Sequence, residues 1–120
     1  MVDDDPSVLA FVTTVAASLE YRVLQAKDGL EALTAYGEDP GIDALVSDVR
    51  MPGINGFQLA HAIRRTNPGI PILLISGFAD ESEISFEMKT QEGIRFLPKP
   101  FSPQQLGAEL LFMFASGPDL

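Results

Sequence analysis

The chain has 120 residues, with 17 acidic and eight basic side chains, a formal net charge of −9 and a pI near 4.3. This balance argues against binding nucleic acid or an anionic membrane, because phosphate groups attract clusters of Lys and Arg. The absence of cysteine excludes a disulfide, a thiol nucleophile and a thiolate metal site. The length suits one domain. With no long apolar run and an acidic start, a cytoplasmic location is expected.

The first predicted element is a helix over residues 7–20. Asp5 is a good N-cap and Pro6 a good first helical residue, and apolar residues follow at helical spacing. The stretch YRVLQA then predicts a short strand over 21–26. A short helix is predicted over 27–37, because the stretch opens with an aspartate and closes on a glycine.

The middle of the chain predicts two strands separated by a turn and a helix. The stretches at 43–48 and 70–76 have nearly continuous apolar residues, which indicates strands buried on both faces. Between them, MPGING (51–56) consists of turn-forming residues. The residues at 56–68 have the spacing of an amphipathic helix that ends at Asn-Pro.

The last part of the chain predicts a strand within 93–101 and a helix over 102–115. Residues 1–115 are expected to form the domain, with 116–120 as a C-terminal tail. In 78–93 the apolar residues alternate as in a strand, so any helix here is expected to be short or irregular.

Two faces are predicted for the helix over 102–115. Phe112 and Met113 are expected to point away from the core, where they would be available to a partner. The residues expected to face the core are Leu106, Leu110, Leu111 and Phe114.

Alternating strands and helices predict a parallel sheet covered by helices on both faces. Such sheets bind ligands beyond the carboxyl ends of their strands. Asp3 and Asp4 follow the short apolar start of the chain, and Asp48 ends the strand over 43–48. These carboxylates should therefore converge, and a cation would have to compensate their charge. Oxygen ligands with water in the remaining positions favour Mg²⁺.

Two further polar residues end predicted strands at the same edge. Ser76 ends the strand over 70–76 and places a hydroxyl there. Lys99 ends the last strand and supplies a cation that can pair with a carboxylate or a phosphoryl oxygen.

Four stretches carry a resemblance to a known family: VDDDP, SDVRMPGINGFQL, LLISG and FLPKPFSP, in this order. Together they make nearly the whole chain resemble the receiver domain of bacterial two-component response regulators, both single-domain regulators and the C-terminal receivers of hybrid sensor kinases. The resemblance implies a doubly wound, flavodoxin-like α/β fold with a five-stranded parallel sheet in the order 2-1-3-4-5. Only Met1 and Val2 precede the acids, so a truncated or very short first strand is expected.

The resemblance also implies a role for each acid. Asp48 would be the phosphoacceptor, taking a phosphoryl group from a phosphohistidine of a histidine kinase. Asp4 would bind Mg²⁺ directly and Asp3 through water. Asp48 and the backbone carbonyl of Arg50 would complete the protein ligands.

Other residues of the resemblance would respond to phosphorylation. Lys99 would hold a phosphoryl oxygen, and the Lys99–Pro100 bond is expected to be cis. Ser76 and Phe96 would form the conformational switch. The output would be a downstream protein or a fused domain, and the domain would not be an enzyme in the ordinary sense. A monomer or weak dimer is expected, with segment exchange possible at the short first strand.

Three alternatives differ in class from this interpretation. A phosphorylation-independent interaction module stays open because of the short first strand and Arg50. A small Mg²⁺-dependent phosphohydrolase would need a second carboxylate two residues after Asp48, where Arg50 stands. A nucleotide-binding flavodoxin-like protein would need a glycine-rich phosphate loop, which the sequence does not have after its first strand.

Overall fold

The computed structural model describes residues 1–39, 41–77 and 93–115. The helices in these ranges are α1 (Pro6–Ser18), α2 (Gly29–Glu38), α3 (Gly56–Arg64) and α4 (Pro103–Ala115). The strands are β1 (Leu45–Asp48), β2 (Ile72–Ser76) and β3 (Ile94–Pro98). Apart from its last residue, the stretch 78–93 expected to hold an irregular helix lies outside the described residues, as does the predicted tail. None of the helices described has the length and hydrophobicity needed to cross a membrane.

Capping side chains explain where the helices begin. The Asp5 carboxylate accepts a hydrogen bond from the backbone N–H of Ser7, which confirms Asp5 as the N-cap of α1. Asp28 caps α2 in the same way. Helix α3 begins with a reciprocal pair, in which Asn55 and Gln58 each accept from the other's backbone N–H.

The three strands form one parallel sheet in the order β1-β2-β3. Asp48 is level with Ile75, and Ile75 with Leu97, so the carboxyl ends of all three strands lie at one edge. Every residue of β1 and β2 is buried, as their continuous apolar sequences predicted. Helices therefore cover both faces of the sheet.

The start of the chain extends this sheet by single residues. Val2 makes one parallel bridge to Ala26 and another to Ser47, so it lies between these two segments. The strand predicted over 21–26 is wrong as a strand, because only Ala26 makes a bridge. The described residues thus contain three strands where five were predicted. A ladder needs successive paired residues, and among the described residues Val2 makes only isolated bridges to these two segments.

Two core clusters lie on opposite faces of the sheet. Ile72 and Leu74 face the cluster that includes Leu59 of α3, whereas Leu73 and Ile75 face the cluster that includes Leu106 of α4. Because successive side chains of a strand point to opposite faces, β2 contributes to both clusters.

The predicted faces of α4 need one correction. Leu106 and Leu110 are buried as expected, but Met113 is also buried, at 4% exposure. Leu111 and Phe114, which were expected to face the core, are 53% and 40% exposed. Positions seven residues apart share a helix face, so Met113 follows Leu106 inward, while Leu111 lies well round the helix. Phe112 is exposed as predicted, and the guanidinium of Arg95 lies over its ring.

Candidate phosphoacceptor site

Three carboxylates meet at the carboxyl edge of the sheet. One ligand oxygen from each of Asp3, Asp4 and Asp48 lies within 4.8 Å of the others. Backbone pairing causes this convergence. The N–H of Asp48 donates to the carbonyl of Val2 at 3.0 Å, and the N–H of Asp3 donates to the carbonyl of Ala26 at 3.1 Å. The chain start is therefore fixed beside β1, and the predicted grouping of these acids is confirmed.

Burial makes the negative charge of this cluster costly. It raises the pKa of Asp3 to about 6, against a hydrogen bond from the Asp5 N–H, while the nearby Asp48 carboxylate adds to the increase. Burial also raises the pKa of Asp48, and the charge of Lys99 opposes this effect. One carboxylate oxygen of Asp3, Oδ2, is buried without a hydrogen-bond partner among the described residues.

The cluster has the donor set of a hard divalent cation. All three groups supply carboxylate oxygens, and neighbouring Asp4 is exposed, so water can reach the site. Mg²⁺ prefers this combination of oxygen ligands and retained water. A cation would offset the repulsion between the acids and give the unpartnered oxygen of Asp3 an interaction partner. The residues present therefore fit Mg²⁺.

Lys99 brings a positive charge to the same place. Its Nζ atom lies 3.5 Å from Oδ2 of Asp48, as expected for a lysine at the end of the last strand. The Lys99–Pro100 peptide bond is cis, which confirms the prediction. The backbone N–H of Lys99 donates to the carbonyl of Ser76 at 2.8 Å and holds the two strand ends together.

The predicted switch residues lie on one face of the sheet. Ser76 is buried at the end of β2, two and four residues beyond Leu74 and Ile72, so it shares their face. Phe96 packs against the same core cluster, and its ring centroid is 6.4 Å from that of Phe57 in α3. The structure thus places both residues on the α3 side.

Gly56 is a positioning residue that the sequence analysis missed. A Cβ atom at this position would lie 2.4 Å from the backbone oxygen of Asp48, so only glycine lets α3 begin so close to the strand end. The N–H of Gly56 donates to the carbonyl of Val49 at 2.9 Å. MPGING indicated a turn, but it did not show that its last glycine contacts the acceptor's backbone.

The loop after Asp48 forms a shallow pocket beside the carboxylates. Its lining includes Asp4, Arg50, Asn55 and Phe57. Arg50 is exposed at the mouth of this pocket, and its backbone N–H hydrogen bonds to the Asp48 carboxylate, which counteracts part of the increase in the pKa of Asp48.

A family model described as the response regulator receiver domain matches residues 1–111. The chain belongs to this family. It is 36% identical over 107 residues to the sensor kinase CckA of Brucella abortus, and 33% identical over 107 residues to the transcriptional regulatory protein GlrR of Escherichia coli. Each match covers 88% of this chain, but the chain spans only 11% and 23% of these relatives' lengths.

Solved structures give the same fold. The chemotaxis protein CheY4 of Vibrio cholerae superposes with a TM-score of 0.82 at 32% identity, over 93% of each chain. A response regulator receiver domain protein from Clostridium thermocellum superposes with a TM-score of 0.85 over 95% of this chain and 90% of that one, at 24% identity. This receiver domain therefore has the flavodoxin-like arrangement of a parallel sheet and flanking helices.

Proposed function

We propose that this receiver domain accepts a phosphoryl group on Asp48 from the phosphohistidine of a histidine kinase. The change would then control a downstream protein or a fused domain. One observation carries the proposal: the buried Asp48 carboxylate lies beside two other acids and within 3.5 Å of the Lys99 ammonium. A strand-end carboxylate with a purely structural role would need neither neighbour.

The proposed reaction is a simple displacement. A carboxylate oxygen of Asp48 forms a bond to phosphorus, and the bond from phosphorus to the imidazole nitrogen breaks. The electron pair of that bond stays on the imidazole, and the product is an aspartyl phosphate. Lys99 is close enough to Asp48 to pair with an oxygen of the transferred group.

Mg²⁺ would be held by Asp3, Asp4, Asp48 and the backbone carbonyl of Arg50. When bound, the ion would neutralise negative charge on the phosphoryl oxygens. The buried, unpartnered oxygen of Asp3 supports this assignment.

The conformational response would use Ser76 and Phe96. Ser76 would turn toward the phosphoryl group, and Phe96 would move inward behind it. Their common face of the sheet supports this coupling. The result would be a shift between two populated conformations.

We also propose the strand order of the whole sheet and the cellular location of the domain. The sheet order would be 2-1-3-4-5, with Ala26 and Val2 marking the two positions before β1; the bridges of Val2 to both sides support it. The domain would act in the cytoplasm as a signalling module, not as an enzyme in the ordinary sense.

Intact-mass measurement tests the proposal. The native chain and Asp48→Asn are each incubated with acetyl phosphate and Mg²⁺, and again with a chelator. We expect one phosphoryl adduct on the native chain, lost with the chelator, and none on the variant. A folded native chain without any adduct would favour the phosphorylation-independent interaction module instead.

A further inference from the structure

Ser47 is a fully buried polar residue that directly precedes the acceptor in β1. Leu45 and Val49, two residues before and after it, belong to the core cluster on the α3 side, so Ser47 lies among apolar side chains there. Burying a hydroxyl in such surroundings is costly unless it is hydrogen bonded. The Ser47 Oγ atom donates to the backbone carbonyl of Asp48 at 2.9 Å. The hydrogen bond that offsets the burial of Ser47 is therefore made to the backbone of the acceptor.

The carbonyl of Asp48 depends on this hydroxyl. No backbone N–H of the described residues donates to it. Gly56 closes another side of the carbonyl, because a Cβ atom at that position would lie 2.4 Å from the carbonyl oxygen. Asp48 and Val49 are both buried, so water has little access to the peptide group between them. Without the Ser47 hydroxyl, a buried acceptor would lose its hydrogen bond, which favours rotation of this peptide group.

Two successive peptide groups lead from Asp48 to Arg50, and both polar atoms of each are hydrogen bonded. In the first, the Asp48 carbonyl accepts from Ser47, and the Val49 N–H donates to a carbonyl of β2 at 3.0 Å. In the second, the Val49 carbonyl accepts from the first residue of α3, and the Arg50 N–H donates to the Asp48 carboxylate. A rotation of the first peptide group would therefore displace the second.

We propose that Ser47 is a positioning residue of the candidate site: its hydroxyl fixes the peptide group after Asp48 and so places the backbone of Arg50. The importance of this placement for phosphoryl transfer rests on the function proposed above. Two groups of Arg50 depend on it, the N–H that bonds to the Asp48 carboxylate and the carbonyl assigned to Mg²⁺. Because Ser47 is fully buried, it acts through these backbone groups and not by contact with the phosphodonor.

Amide hydrogen exchange of the whole chain in chelator, followed by NMR, tests this placement without Mg²⁺ or a phosphodonor. Ser47→Ala removes the hydroxyl and keeps the Cβ atom. We expect the Arg50 amide to exchange about tenfold faster in this variant than in the native chain, because its bond to the Asp48 carboxylate opens more often. Ser47→Cys fills the same space but donates only weakly, so it should change the exchange in the same direction and decides the question if Ser47→Ala does not fold.

Mg²⁺ titration of the same variants, followed by backbone amide chemical shifts, gives a second readout. The affinity of Ser47→Ala for Mg²⁺ should fall by about tenfold, as expected when a group that orients a metal ligand is removed. Adduct formation with acetyl phosphate should also slow, even at saturating Mg²⁺, because the reacting carboxylate is less well oriented.

Two control variants separate local placement from general stability. Ile63→Val removes one methylene from the same core cluster, about 10 Å along α3 from Gly56. Ser18→Ala removes a hydroxyl that donates to the Val15 carbonyl at an exposed position. Both controls should keep the native exchange rate at Arg50 and the native affinity for Mg²⁺.

Two results would overturn the proposal. One is a native exchange rate at Arg50 in a folded Ser47→Ala or Ser47→Cys chain. The other is an equal acceleration in Ile63→Val, which would show a general loss of stability. The phosphoacceptor function fails by a different observation, the absence of an adduct on the native chain, so the two failures are distinguishable.

Discussion

The two sides of the sheet are built differently. On one side, β1, β2 and β3 pair residue by residue, and every side chain of β1 and β2 is buried. On the other, isolated bridges of Val2 to Ala26 and to Ser47 are the only strand pairing among the described residues. We refer to these as the ladder side and the bridged side.

The candidate site draws on both sides. The ladder side places Asp48, Ser76 and Lys99, whereas the bridged side places Asp3 and Asp4. One bridged residue is thus enough to bring the acids to the strand ends, because Val2 hydrogen bonds to Val46 and Asp48 while Met1 and Asp3 hydrogen bond to Ala26. Stability and ligand placement therefore need not come from the same contacts.

The largest expected effect is from shortening a buried side chain on the ladder side. Leu74 is fully buried between two paired strands, so Leu74→Ala should lower the free energy of unfolding by about 2–5 kcal/mol. Val2→Ala should cost only about 1–2 kcal/mol, because it removes fewer buried atoms than Leu74→Ala. Urea unfolding of both variants measures the difference. Equal losses, despite the smaller deletion at Val2, would show that the bridged side is packed at least as tightly as the ladder side.

A substitution at Gly56 should disturb the acceptor Asp48, because Gly56 contacts the backbone of Asp48 at the end of β1. Gly56→Ala forces a methyl group against the Asp48 carbonyl and should cost about 1–3 kcal/mol. It should also slow adduct formation, measured by intact mass. The matched change Gly107→Ala has open space in a helix and should instead stabilise by up to about 1 kcal/mol. A neutral Gly56→Ala would refute the close approach of α3 to the acceptor.

Mg²⁺ should stabilise the native chain by binding the acidic cluster, to which the bridged side contributes Asp3 and Asp4. At ten times its dissociation constant, one bound ion adds about 1.4 kcal/mol to the free energy of unfolding. Asp3→Asn should lose most of this gain, yet be more stable than the native chain in chelator near neutral pH, because it removes a buried charge. Asp5→Asn keeps a helix cap and should change neither value. Thermal unfolding with and without Mg²⁺ provides the measurement.

The raised pKa of Asp3 gives a pH dependence with a definite sign. Its folded pKa of about 6 lies above its ordinary value, so the folded state binds the proton first. In chelator, this group should make the native chain more stable as the pH falls through about 6, until the unfolded carboxyl also protonates. Asp3→Asn should remove this contribution. An unchanged pH profile in the variant would contradict the burial of this charge.

The smallest effect is expected at the outer edge of the ladder side. Arg95 of β3 pairs with Glu109 of α4, and both side chains are partly solvent-accessible. A double-mutant cycle with Arg95→Ala and Glu109→Ala should give a coupling of about 0.2–1 kcal/mol that decreases in high salt. A salt-independent coupling would show that packing, such as that of Arg95 on Phe112, dominates this contact.

The sequence predicted the site better than it predicted the sheet. Asp3, Asp48 and Lys99 were placed correctly, because strand ends in a parallel sheet share one edge whatever the length of each strand. The strand over 21–26 was wrong, because its formation depends on a partner of several residues. Strand propensity alone cannot supply that partner.

Two further features depend on tertiary packing, which the sequence pattern did not predict. The outward orientation of Leu111 and Phe114 depends on the rotation of α4 about its axis, and the last six residues of this helix are all apolar, so their pattern leaves that rotation unspecified. Gly56 was visible only as part of a turn, because its contact with the Asp48 carbonyl joins segments whose spacing is set by tertiary packing.

Locating the phosphoryl group shows whether Asp48 is the phosphoacceptor. The native chain is treated with acetyl phosphate and Mg²⁺, reduced with borohydride to convert an acyl phosphate to an alcohol, and digested for peptide mass mapping. We expect conversion at Asp48 alone, with Asp3 and Asp4 unmodified. Conversion at Asp3 or Asp4, or none on the folded chain, would contradict it.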